Sequence, residues 1–121
     1  MLEKIGQIDP EIIALLGLNL SPGQPILVGP QNLEHMKGEH PEDYLQFGAH
    51  LSQIVNNPDY VSLHPENGSI QFIKEFPDRV MVAVRATNRG TLIARTLFTM
   101  SPEKWDNYML KGAIKRVETK E

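Results

Sequence analysis

The period of the hydrophobic pattern changes at about residue 60, and that change constrains the fold more than anything else in the chain. From there to Thr99, Val, Ile, Phe and Thr recur with strand-like alternation in four segments, 60–64, 70–76, 79–85 and 91–99. The connections are short. "ENGS" carries Asn-Gly, a strong hairpin signal, and "PD" at 77–78 and "TNRG" at 87–90 are also turn sequences. Short turns make sequential strands antiparallel neighbours, so the spacing predicts a four-stranded meander.

Before residue 60 the pattern is helical. "DPEIIALLGL" (9–18) has a capping Asp9, Pro10 in the first turn and a terminating Gly17. "ILVG" (26–29), between Pro25 and Pro30, is too short for a helix and reads as a strand or extended segment. "QNLEHMKGE" predicts a short helix ending near Gly38. "PEDYLQFGAHLSQIVN" predicts the longest helix, over 41–56, with Tyr44, Phe47, Leu51, Ile54 and Val55 at helical spacing. After the strands, "SPEKWDNYML" (101–110) predicts a short C-terminal helix, and 110–121 reads as a loose tail. Helices first and an antiparallel sheet afterwards indicate one α+β domain over 1–121, with the N-terminal helices packed on one sheet face and the other face partly open.

No apolar run approaches the roughly 18 residues of a membrane span. The start, "MLEKIGQIDPE", lacks a signal-peptide pattern. With no cysteine there is no disulfide, thiol nucleophile or thiolate metal site. A cytoplasmic location without membrane contact is the expectation. The net charge of −3 speaks against a general nucleic-acid binder, but it is unevenly spread. Two lysines oppose nine carboxylates over 1–70, a balance of −7; ten Lys and Arg oppose six carboxylates over 71–121, a balance of +4. The second half can present a basic face to a polyanion.

Histidine is the side chain suited to proton transfer near neutral pH. "HMKGEHPEDY" holds two of the four, His35 and His40. Their i, i+5 spacing across Gly38 does not match the HExxH zinc pattern, and no acidic cluster sits at ligand spacing, so no metal is expected. His40 falls at the N-cap of the 41–56 helix. A neutral ring there can act as a general base, or it can simply cap the helix. His35 reads as packed near Leu33 and Met36, His50 as lying at the rim of the core, and His64 as exposed at a strand end. In "VMVAVR" and "LIARTLFT", Arg85 and Arg95 fall mid-strand, and an arginine there must reach water, a carboxylate or a ligand. On neighbouring strands they could clamp a phosphate, because the guanidinium fork matches its oxygens. Arg95 and Thr96 are adjacent, so a regular strand points them to opposite faces. Either a bulge re-aims one of them or only one belongs to a site. No P-loop, GxGxxG or GxSxG motif is present.

"HMKGEHPEDY", "IVNNPDYV", "NGSIQFIK", "VAVRAT" and "ARTLF", in this order, resemble phage-associated nuclease-like domains of the barnase–EndoU–colicin–RelE class, over residue 5 to about 112. The resemblance implies a helical N-terminal part followed by a four-stranded antiparallel sheet. It also implies metal-independent RNA cleavage through the ribose 2′-hydroxyl, without a cofactor. His35 and His40 would supply acid–base catalysis, Arg85 and Arg95 a phosphate clamp, Thr96 a hydrogen bond and Lys74 substrate binding. The implied partner is RNA, whether a defined or a ribosome-bound one. The alternative is an inactive phage-type module that captures a host or antitoxin-like protein.

Overall fold

A computed structural model describes residues 1–118. Along the chain run β1 (Glu3–Gln7), α1 (Pro10–Leu16), β2 (Pro25–Val28), α2 (Pro30–Glu39), α3 (Pro41–Phe47), a 3-10 turn (Gly48–His50) and α4 (Leu51–Asn56). β3 (Tyr60–Leu63), β4 (Ile70–Glu75), β5 (Arg79–Ala86), β6 (Leu92–Thr99), α5 (Pro102–Leu110) and β7 (Lys115–Arg116) follow. The class is α+β. No described helix is long and apolar enough to cross a membrane.

The sheet differs from the expected four-stranded meander. It has seven strands in the order β1-β2-β6-β5-β4-β3-β7 and is mixed, because β2 pairs parallel with β6. β3 to β6 pair antiparallel in sequence order, as their short turns require, but they form the middle of a larger sheet. The added strands are short and pair over long sequence distances. β1 is interrupted at Ile5, which has no counterpart on β2, and its register shifts between Lys4 and Gly6. Asn56 clasps this irregularity: its Nδ2 donates to the Ile5 carbonyl (3.0 Å) and its Oδ1 accepts from the Gln7 N–H (3.2 Å). A side chain at position 6 would collide with Asn56, so the missing Cβ permits the contact.

The expected helix over 41–56 is also divided. α3 stops at Phe47, the chain tightens through Gly48–His50, and α4 resumes at Leu51. The Tyr44 ring lies where a Cβ on Gly48 would approach to 3.0 Å. Phe47, Leu51, Ile54 and Val55 are nevertheless all buried, so both short helices keep the apolar stripe that the spacing implied. α2 runs through Gly38 to Glu39, and His40 is both its C-cap and the N-cap of α3. Pro41 explains the break, since the residue before proline is driven out of the helical region.

The main core lies between one sheet face and α1–α4. Val61, Ile70, Phe72, Val80, Val82, Val84, Leu92, Ala94 and Leu97 meet Ile12, Met36, Phe47, Leu51, Ile54 and Val55 there. A smaller cluster of Ile73, Met81, Met100 and Trp105, with Tyr60, Phe98 and Tyr108 beside it, joins α5 to the opposite face. The C-terminal helix thus covers only part of the second face. The segment after it is not loose as far as it is described. β7 pairs with β3, and Val117 is buried with its N–H on the Asp59 carbonyl (3.0 Å). A two-residue Lys-Arg strand leaves no hydrophobic signature. Residues 119–121 of the expected tail lie outside the described residues.

Candidate active site

The uncovered part of the second face holds a concave pocket of about 220 Å³. Its position follows from an irregularity in β6. Ala83 pairs with Thr96 and Val84 with Ala94, so Arg95 has no counterpart on β5. One extra residue inverts the alternation. Leu92 and Ala94 before it and Leu97 after it all face the main core. Thr96 and Phe98 consequently join Arg85 on the second face, and Arg85, Arg95 and Thr96 all line the pocket. β2 pairs with β6 only at Leu92 and Ile93, so the bulge lies where β6 has lost that neighbour. Bulges favour such edges.

Gln71 and Ala83 line the pocket from β4 and β5, His64, Asn67 and Ser69 from the β3–β4 loop, Phe98 from β6 and Lys104 from α5. Gln71 is buried and fully engaged: the Ser62 hydroxyl donates to its Oε1 (2.7 Å) and its Nε2 donates to the Tyr108 hydroxyl (3.2 Å). The Lys104 ammonium is held 4.5 Å from the Phe98 ring centroid and 6.0 Å from that of Tyr108, a cation–π arrangement. Arg85 and Arg95 are exposed and have no hydrogen bond or ion pair to any described residue. Three cations therefore meet at a pocket whose lining contains no carboxylate.

The histidines fall differently from expectation. His64 lines the pocket, and its Nδ1 accepts from the backbone N–H groups of Glu66 (3.1 Å) and Asn67 (3.3 Å). His40 is half-buried with its ring 5.5 Å from that of Phe98, next to the pocket but not in its lining. It reaches the second face around the free edge of β6. Asp43 anchors this junction by accepting from the Thr99 N–H (2.9 Å) and hydroxyl (2.8 Å). His35 is exposed on α2, 3.2 Å from Glu39, and His50 packs against Phe76. Lys74 is also outside the pocket. Its ammonium donates to the Asn57 carbonyl (2.8 Å) and lies 3.9 Å from Asp59. The pocket is thus centred on the strands and the β3–β4 loop, with His40 of the 35–40 turn at its margin.

Sequence reasoning passed over His64 and Lys104. The usable signal for His64 was the following turn "PENG", whose backbone amides can fix a preceding ring. Lys104, three residues after the Ser101 cap, stands in the first turn of α5, which among the described residues is the only helix packed on the second face. Among the described residues, no three His, Asp or Glu side chains gather as a metal site. A larger hollow of about 570 Å³ beside α5 is lined from Ser101 to Leu110 and includes Glu103 and Asp106. Of the three cations it is lined by Lys104 alone, and that beside two carboxylates.

The α+β domain thus carries a cationic, carboxylate-free pocket on a mixed sheet. The chain belongs to the phage-Barnase-EndoU-ColicinE5/D-RelE like nuclease 3 family, whose pattern matches residues 3–107. No curated protein and no solved structure matches it. Family membership makes the function of the domain nuclease-type and its polyanion a nucleic acid.

Proposed function

We propose that the protein is a metal-independent endoribonuclease acting at the pocket between β4, β5, β6 and α5. The observation that carries this reading is the convergence of Arg85, Arg95 and Lys104 on a lining without carboxylates. Catalysis by bound divalent metals calls for oxygen ligands such as carboxylates, whereas transphosphorylation through the 2′-hydroxyl calls for cations around the phosphorus. The 2′-oxygen attacks phosphorus and the bond to the 5′-oxygen breaks. This leaves a 2′,3′-cyclic phosphate and a 5′-hydroxyl, with one proton lost from the nucleophile and one gained by the leaving oxygen. Arg85, Arg95 and Lys104 stabilise the added charge of the pentavalent phosphorane, and the Thr96 hydroxyl supplies a hydrogen bond. Of the two histidines in the sequence motif, His40 is the proton acceptor, because it packs against a residue of the pocket wall.

The test is cleavage of single-stranded, structured and ribosome-bound RNA in excess EDTA. Products ending in 2′,3′-cyclic phosphate are expected. Arg85→Ala should slow cleavage roughly 100- to 1,000-fold, as removal of an oxyanion donor does. His40→Ala should slow it about 100-fold, while His35→Ala should stay within about threefold. Strict dependence on added metal would refute the mechanism.

A second reading, an inactive module that captures a host or antitoxin-like protein, has its own observation. A mainly apolar groove of about 550 Å³ is lined by Lys37, Pro41, Tyr44, Leu45, Gly48 and Ala49, and Leu45 is 88% exposed. Absence of cleavage on every RNA, together with a host partner whose binding is lost in Leu45→Asp, would favour it.

A further inference from the structure

We infer that His64 serves the pocket as a fixed hydrogen-bond donor to a non-bridging phosphate oxygen, through Nε2–H, and not as a proton acceptor. The inference rests on the reading of the pocket as a site for RNA phosphate. Two backbone N–H groups, of Glu66 and Asn67, point at Nδ1. That nitrogen must present its lone pair to them, so the neutral ring carries its proton on Nε2.

The loop that imposes this tautomer is itself closed by hydrogen bonds. His64 N–H donates to the Ser69 carbonyl (2.9 Å), Gly68 N–H to the His64 carbonyl (3.1 Å) and Ser69 N–H to Asn67 Oδ1 (2.9 Å). For Nε2 to accept a proton it would have to be bare beforehand. The ring hydrogen would then sit on Nδ1, facing two amide hydrogens and breaking both bonds. The loop therefore holds the ring in the state of a donor. Nε2 has no hydrogen-bond partner among the described residues, and the ring shares its pocket with Arg85, Arg95 and Lys104. A phosphate oxygen is the acceptor that suits such a group beside three cations. The proton of the 2′-hydroxyl then has to be taken by another group.

Two substitutions separate donor from base. His64→Asn keeps an acceptor where Nδ1 stands, and with it the loop, but removes the Nε2 donor. His64→Gln places an amide N–H₂ near the position of Nε2 and cannot take up a proton. A donor role predicts that Asn lowers RNA cleavage roughly 100-fold or more while Gln stays within about tenfold of the parent. A base role predicts equal, severe losses in both.

A second measurement needs no catalysis. In ¹⁵N spectra of the full chain at a pH where the ring is neutral, His64 should show the proton on Nε2. Titration with inorganic phosphate should move the Nε2 signal more than the Nδ1 signal, and Arg85→Ala should weaken that response. An Nδ1–H tautomer, or a phosphate response absent from Nε2, overturns the inference even if RNA is cleaved. The Nε2–H tautomer with a phosphate response supports it even if no RNA is cleaved, in which case the ribonuclease reading alone fails.

Discussion

Deleting Arg95 distinguishes a bulged β6 from a regular one. Thr96 already pairs with Ala83 and Ala94 with Val84, so removal of Arg95 joins two residues whose partners are themselves adjacent. The ladder becomes continuous. Leu97 stays on the helix-packed face and Thr96 on the second face. In a regular strand the same deletion would turn everything on one side of the cut to the opposite face. Leu97, 0% exposed, would leave the core and Thr96 would enter it. Losing a buried leucine costs about 2–5 kcal/mol. An unpaired buried hydroxyl costs about 1–3 kcal/mol more. Together these rival the roughly 5–15 kcal/mol by which a domain is stable.

The bulge instead predicts a change within about 2 kcal/mol, from the altered local twist. Urea denaturation followed by Trp105 fluorescence measures it, as a midpoint shift at constant slope. The deletion should fold and lose polyanion affinity. Insertion of one alanine after Val82, in the paired and buried middle of β5, should unfold the protein. A deletion that loses more than about 4 kcal/mol would refute the assignment of Arg95 as the extra residue.

Asp43→Ala should destabilise by about 2–3 kcal/mol, because it removes two charge-assisted hydrogen bonds from a partly buried Thr99; chemical denaturation reads this, and Asp43→Asn should lose less. Arg85→Ala and Lys104→Ala should each reduce the salt dependence of single-stranded RNA affinity by about 0.7 in the log–log slope, measured by fluorescence anisotropy. Lys74→Ala should leave that affinity and slope unchanged and cost about 1–2 kcal/mol of stability through the lost bond to Asn57.

The elements that sequence made legible are those with local causes. Asp9 accepts from the Glu11 N–H (2.8 Å) at the start of α1, and Ser101 accepts from the Lys104 N–H (3.1 Å) at the start of α5. The valines of β5 alternate onto the core, because two-residue periodicity is a property of the strand itself. The residues of the family resemblance also lie in local runs, and Arg85, Arg95 and Thr96 were visible as pocket candidates for that reason. What stayed hidden depends on neighbours far along the chain. β1 was hidden by a register shift between Lys4 and Gly6 that Asn56 supports from α4. Likewise, no local pattern announces a parallel pair between β2 and β6, and Lys115–Arg116 has no apolar residue to mark it.

The sequence by itself determined an α+β chain with basic residues concentrated in its second half and arginines on neighbouring strands. Only the tertiary structure decided which of these residues meet. Arg95 and Thr96 share a face because β6 carries one more residue than β5 at that point, and a bulge is a property of a pair of strands. Lys104 reaches the pocket because α5 packs on the face opposite the other helices, and His64 because the β3–β4 loop closes over its ring nitrogen. Lys74 and His35 were drawn toward carbonyl and carboxylate partners outside the pocket. Side-chain chemistry is written in the order of residues, but convergence depends on pairing and packing between segments that the order leaves far apart.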